Sequence, residues 1–284
     1  MCRKLSYLVP FLLLALLAGC GHTEGHYTPS AAPTVPVTDS TPTLEPTPEP
    51  TPTPEPTPTP PPWEPYQFGT PLEESEPVAD DSFFDDAVFL GDSRTEGFQL
   101  FSGLKHGDFY WARGMSVFRA DDEEFKMFEV DGEKLTLLGT LGKKSYGSIY
   151  IMIGVNELGY PAESYETGLA ELIDKVLAAQ PDAVVYLQIM PPVNDAMCRA
   201  NKLPSYITNA NLGKFNEAIV RVAAEKKVVL LNTAEAYTGE DGQLPADLAN
   251  DGCHFAYGAY GRWADYLRCH VIDRDRYFYS RENG

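Results

Sequence analysis

Ser148-Ile149-Tyr150-Ile151-Met152-Ile153, followed at once by Gly154-Val155-Asn156-Glu157, is the stretch on which the fold turns. Its first six residues form a nearly continuous apolar run of strand length, ended by a glycine. A strand with one wet face would alternate; this one does not, so both faces are expected to be covered. The same grammar recurs in Ala87-Val88-Phe89-Leu90 before Gly91, and in Phe109-Tyr110-Trp111-Ala112 before Arg113-Gly114. It returns in Ala183 to Ile189 before Pro191-Pro192, and briefly in Val228 to Leu231. Helical spacing fills the intervals: Phe98, Leu100, Phe101 and Leu104 in a segment from Ser93 to Leu104; Leu169, Leu172, Ile173 and Val176 in Ser164 to Ala179; Leu212, Phe215, Ile219 and Val222 in Asn211 to Lys226. Ala256 to Ile272 is expected as a closing helix, and Lys134 to Leu141 fits either period. Buried strands alternating with amphipathic helices predict an α/β layer sandwich, a parallel sheet with helices on both faces. In such sheets sites form beyond the carboxyl ends of the strands.

Outward from this domain toward the N-terminus, the material changes. Arg3 and Lys4 precede an apolar run from Leu5 to Ala18, too short to span a bilayer at about 20 residues, and the run ends in Leu17-Ala18-Gly19-Cys20. A basic start, a short apolar run and a small-residue end predict a secretory signal over residues 1–20. The ending resembles the lipobox of bacterial lipoproteins, which implies lipidation at Cys20 and an extracytoplasmic chain anchored to the bacterial membrane. Residues 21–79 are expected to be an unfolded linker. From Thr41 to Pro62 proline stands at nearly every second position, removing backbone donors and fixing φ. Such a stretch favours extended polyproline II and acts as a semi-rigid spacer. Residues 80–284 are left as one domain of about 200 residues, enough for a single core.

The formal net charge is -19. Residues 1–79 hold nine acids and two bases, so residues 80–284 keep 32 acids against 20 bases. A domain this acidic is a poor partner for nucleic acid, and anionic headgroups repel it. Contact with the membrane is therefore expected through the lipid anchor only. Cys198, Cys253 and Cys269 remain after the leader; their odd number excludes a fully paired framework and leaves one bridge open. No Cys-x-x-Cys pair is present, which argues against zinc or a thioredoxin-like site.

Four polar blocks fall at predicted strand ends or before the last helix: Gly91-Asp92-Ser93-Arg94, Gly114, Gly154-Val155-Asn156-Glu157 and Asp251-Gly252-Cys253-His254. Ester cleavage needs these residue types. A serine hydroxyl is a weak nucleophile and requires a base within hydrogen-bond reach. Ser93 is the candidate nucleophile, His254 the base, and Asp251, three residues earlier, the carboxylate that orients the imidazole. The oxyanion requires preorganised donors, which the Gly114 backbone and the Asn156 amide are suited to supply. Taken singly, each block is weak; an Asp-x-x-His can merely cap a helix, and an Asn after a strand is commonly a turn residue.

The four blocks together resemble the SGNH hydrolases, also called the GDSL esterase/lipase family, whose name spells Ser, Gly, Asn and His. Here these match Ser93, Gly114, Asn156 and His254, and the resemblance runs from Asp85 to about Ile272. It implies a flavodoxin-like three-layer sandwich, a catalytic triad of Ser93, His254 and Asp251, and an oxyanion hole of the Ser93 and Gly114 N–H groups with the Asn156 side chain. It implies neither metal nor cofactor. Two positions depart from the family pattern: Arg94 stands where leucine usually follows the serine, and Glu157 where aspartate usually follows the asparagine. Arg94 is expected to put a charge near the nucleophile, and Glu157 to alter how Asn156 is held. Tyr257 and Tyr260 are expected in the core, and Pro191 to Tyr206 as an irregular edge of the substrate cleft.

The expected activity is hydrolysis of acyl esters, O-acetyl first, on a cell-surface or extracellular glycan, so that an acylated carbohydrate is the expected partner. A lipase, lysophospholipase or thioesterase of the same family is the alternative, with transfer to a sugar acceptor as a variant. A non-catalytic glycan-binding module is the reading from another class.

Overall fold

The structure, a computed structural model, describes residues 63–284. The leader, Cys20 and the proline-rich stretch to residue 62 lie outside the described residues. Five strands make the main sheet: β1 (Ala87–Gly91), β2 (Asp108–Trp111), β5 (Ser148–Met152), β6 (Val184–Gln188) and β7 (Val229–Leu231). They run in the order β2-β1-β5-β6-β7, parallel throughout. A small antiparallel hairpin, β3 (Phe128–Val130) with β4 (Glu133–Leu135), stands apart from it. Without the hairpin the order is that of flavodoxin, and the strand sequence reverses direction between β1 and β5. All five residues of β1, β5 and β6 are buried, as apolar runs without alternation require.

Helix α1 (Ser93–Phe101) meets α6 (Gly261–Arg268) on one face, where the Phe98 and Trp263 rings lie 4.5 Å apart. Helices α3 (Ala162–Ala179) and α5 (Asn209–Lys226) pack on each other through Tyr165 and Phe215 on the other. Under α1 the sheet carries an aromatic ladder. Phe109, Phe89, Tyr150 and Tyr186 are register neighbours on four successive strands, and each ring stacks on the next at 4.5 to 5.0 Å. Cross-strand aromatic pairs of this kind set register as well as filling volume.

The ambiguous segment Lys134 to Leu141 is both things in turn. It completes β4 and then turns at Thr136, whose side chain caps α2 (Leu137–Thr140) by accepting from Gly139 N. The closing helix is shorter than its apolar spacing predicts. A 3-10 turn, Tyr257–Ala259, leads into α6, and a separate helix α7 (Arg274–Asn283) follows, N-capped by Asp273. The stretch from Pro191 contains a short helix, α4 (Asp195–Ala200).

The domain boundary at residue 80 needs correction. Residues 64–78, read as linker, are fastened along the free side of β7. Leu72 N donates to Leu230 O at 2.8 Å and Leu230 N to Tyr66 Oη at 3.1 Å. Tyr66 and Leu72 are buried in the main core, and Ser75 and Val78 bond to the end of α6 through Cys269 O and Arg268 O. An edge strand offers unpaired donors and acceptors; this strap occupies them. The sequence signal is faint because Tyr66, Phe68, Leu72 and Val78 are its only apolar anchors, scattered among prolines and glutamates.

Candidate active site

Ser93 is the first residue of α1, at the carboxyl end of β1. Its position follows from its neighbours. A Cβ on Gly91 would stand 1.9 Å from Thr95 Oγ1 and 2.7 Å from Met152 O, so only glycine lets the chain leave β1 this closely against β5. Asp92 then caps the helix, accepting from Arg94 N at 2.9 Å. Ser93 therefore stands in the first turn, where backbone N–H groups lack helical partners and the helix dipole favours negative charge. Burial of Asp92 pushes its carboxyl pKa up.

Ser93, His254 and Asp251 meet. Ser93 Oγ lies 2.8 Å from His254 Nε2, and His254 Nδ1 lies 2.7 Å from Asp251 Oδ2. Asp251 also closes its own turn, with Oδ1 accepting from Cys253 N at 2.8 Å and His254 N at 2.7 Å. Burial alone would raise this carboxyl; the hydrogen bonds from the His254 ring and backbone and from Cys253 outweigh it and hold the group well below the usual carboxylate range. The carboxylate is thus ionised, its second oxygen pinned, with one aim left for its first.

Gly114 lies in an exposed turn beyond β2, at φ +74°, with open space where a Cβ would stand. The turn is tied to β1 by Ala112 N donating to Gly91 O at 3.3 Å, and closed by Met115 N on Ala112 O at 2.9 Å. Asn156 reaches the same turn: its Nδ2 donates to Met115 O at 2.9 Å, which leaves the second Nδ2 hydrogen for another acceptor. Glu157 holds the turn from below. Its Oε1 accepts from Val117 N at 2.7 Å, and burial, with the nearby charge of Asp92, pushes its pKa up to about 8 despite that bond. Glu157 therefore fixes the Gly114 turn against the Asn156 turn, a role that its place in the sequence did not reveal.

The Arg94 guanidinium is taken up by backbone carbonyls. The residue is 1% exposed. Nε and Nη2 both donate to Cys253 O, at 3.1 and 2.9 Å, and Nη1 donates to Pro191 O at 2.9 Å. The side chain after Ser93 thus grips the peptide before His254. The Pro191 to Tyr206 stretch likewise backs the histidine turn instead of edging the cleft: Asn194 N donates to Gly252 O at 2.7 Å and Asn201 Nδ2 to Asp251 O at 3.1 Å. Cys198, Cys253 and Cys269 are all unpaired in the structure.

Ser93 and His254 open into a cleft of about 410 Å³ between α1 and the turn after His254. Tyr260 is buried as expected, but Tyr257 is 65% exposed and stacks on the half-exposed Phe101 at 4.4 Å. Leu100 continues this apolar wall. On the rim Arg113 makes two hydrogen bonds to Glu96, at 2.6 and 2.7 Å. Leu100 and Phe101 share their helical spacing with Phe98 and Leu104, which are buried in the core, so the spacing alone does not mark this wall.

The arrangement combines a serine hydrogen-bonded to an imidazole, a carboxylate bonded to the other ring nitrogen, and a Gly114 turn that is tied to β1 at Gly91 and to Asn156 at Met115. Among solved structures, a platelet activating factor candidate from Streptococcus pneumonia is similar at 21% identity and TM-score 0.52, over 64% of this chain and 82% of that one. A GDSL-like lipase from Bacteroides thetaiotaomicron is 16% identical with TM-score 0.46, over 68% of this chain and 87% of its own. The first of these likenesses supports the fold. No curated protein matches the sequence. Residues 89–262, more than half of the chain and including Ser93, Gly114, Asn156, Asp251 and His254, match the GDSL-like lipase/acylhydrolase family; the chain belongs to that family of hydrolases.

Proposed function

We propose that this protein is a serine esterase that removes small acyl groups, acetyl first, from a cell-surface or extracellular glycan, and that lipid on Cys20 holds it at the bacterial membrane. The observation that carries the esterase reading is the hydrogen-bonded series Ser93–His254–Asp251 at the mouth of a cleft. In this reading Ser93 Oγ attacks the ester carbonyl carbon while its proton passes to His254 Nε2, and Asp251 stabilises the imidazolium. The oxyanion takes hydrogen bonds from Ser93 N, Gly114 N and the second Nδ2 hydrogen of Asn156. Collapse breaks the bond to the alcohol oxygen, which receives the proton from His254. Water, losing a proton to His254, then attacks the acyl-serine, and the acid leaves with Ser93 restored. The anchor rests on the Leu17-Ala18-Gly19-Cys20 ending and on the proline-rich composition of Thr41 to Pro62.

The apolar wall of Leu100 and Phe101 favours a second reading, in which a fatty acyl chain fills the cleft. One experiment addresses the triad, the acyl preference and the anchor: hydrolysis of p-nitrophenyl acetate and decanoate by membrane and soluble fractions of cells making the full chain. Acetate hydrolysis is expected in the membrane fraction, lost in Ser93→Ala and moved to the soluble fraction in Cys20→Ala. A decanoate preference supports the lipase reading, and activity surviving in Ser93→Ala rejects the triad.

A further inference from the structure

The direction in which a substrate must lie follows from where the donors stand. In acyl transfer the carbonyl oxygen points at the oxyanion donors, and the leaving oxygen points at the acid that protonates it. Gly114 and Asn156 do not line the cleft, whereas His254 does. Resting on the serine-esterase reading, we propose that the cleft is the subsite for the alcohol half of the ester, that it receives a sugar ring, and that Tyr257 and Phe101 are the residues that select it.

The chemistry of the walls matches that occupant. Tyr257 opens the 3-10 turn Tyr257–Ala259, three residues after His254, so acid and platform come from adjacent turns of one short segment. Phe101 ends α1, the helix that Ser93 begins. Their rings are inclined by 27° to one another and stay exposed at 65% and 42%, leaving a broad apolar surface at the mouth. One turn before Leu100 on the same helix, Glu96 and its partner Arg113 add acceptors and donors to the rim. A pyranose carries an apolar C–H face and a fringe of hydroxyls, and so meets both. A volume of about 410 Å³ accommodates one ring with its substituents. An acyl chain would need only the apolar wall and would leave the rim unused.

The two halves of an ester are separable in time. The alcohol departs during acylation; hydrolysis of the acyl-enzyme no longer contains it. The test is therefore burst kinetics with the full chain in detergent, wild type, Tyr257→Ala and Phe101→Ala, with Ser93→Ala as control. Acetyl-enzyme hydrolysis is read from p-nitrophenyl acetate after the burst. Acylation is compared on methyl 6-O-acetyl-glucoside and ethyl acetate. The wild type is expected to prefer the glucoside ester, and each variant to lower that preference about tenfold, the scale of one aromatic contact, with the loss confined to acylation. Slower acetyl-enzyme hydrolysis, or an altered acyl-length profile on p-nitrophenyl esters, would assign the cleft to the acyl half and overturn the proposal. Equal losses on both alcohols, or no wild-type preference between them, would also overturn it. Turnover persisting in Ser93→Ala would instead reject the serine-esterase reading beneath it.

Discussion

Arg94 costs the fold a buried cation and yields a fixed distance. Its guanidinium has no carboxylate partner among the described residues and is satisfied by two carbonyls, of Cys253 and Pro191. Because Ser93 and Arg94 share a peptide bond, the grip on Cys253 O couples the serine to the histidine turn through one side chain. Arg94→Met leaves both carbonyls buried without a donor, at about 1–3 kcal/mol each, and frees the histidine turn. Catalysis tolerates such freedom poorly: kcat on p-nitrophenyl acetate is expected to fall on the order of 100-fold, with KM nearly unchanged and partial recovery in Arg94→Lys. An unchanged kcat in a folded Arg94→Met chain would show that the turn positions itself. Nothing in the sequence marks this role, because a charged residue after the serine is read naturally as a charge near the nucleophile, and only its buried carbonyl partners show what it holds.

At the scale of elements, the site depends on how the turns after β2 and β5 are joined. Glu157 makes the join by holding Val117 N, and burial keeps its carboxyl protonated to about pH 8. The unfolded chain would lose this proton near the ordinary value of 4.5. Between those limits the folded state binds more protons than the unfolded one, so the contribution of Glu157 to stability declines as pH rises, by up to about 1.4 kcal/mol per unit. Glu157→Gln keeps an oxygen for Val117 N and removes the titration. The fall in Tm between pH 5 and pH 8 is expected to be smaller in Glu157→Gln than in wild type; equal falls would mean that Glu157 is ionised in the fold. Strands β1, β2, β5, β6 and β7 were legible because continuous apolar runs have few alternatives in an α/β chain. The split of the closing helix was less so: Tyr257 to Ile272 keeps apolar spacing across both the 3-10 turn and the end of α6. Helix α7 escaped notice because Arg274 to Asn283 is polar nearly throughout and contributes only Tyr277 and Ser280 as buried residues. Ser93, Asn156, Asp251 and His254 could be picked out because strand ends and a tight turn constrain them; the Phe101–Tyr257 wall could not, since nothing local separates an exposed aromatic from a core one.

At the scale of the whole molecule, the strap of residues 64–78 decides where the folded domain begins. A chain starting at Asp80 loses the burial of Tyr66 and Leu72 and bares the outer side of β7. Relative to a chain starting at Trp63, it is expected to be less stable by on the order of 3–5 kcal/mol and to associate as concentration rises, because an uncovered edge templates pairing. Thermal unfolding and light scattering at several concentrations measure both; equal Tm values with no association would return the segment to the linker. The strap also determines how the enzyme takes a load. A pull from the N-terminal side enters at Glu64 and Tyr66, where Arg276 Nε holds Glu64 O at 3.0 Å and Tyr66 N holds Ser280 Oγ at 2.7 Å. It passes next to Leu230 on β7, with β6 and β5 still between it and β1. Tension applied from the N-terminal side would peel the strap before it disturbed the strand that carries Ser93, so these few bonds would serve as a mechanical fuse for that end of the sheet.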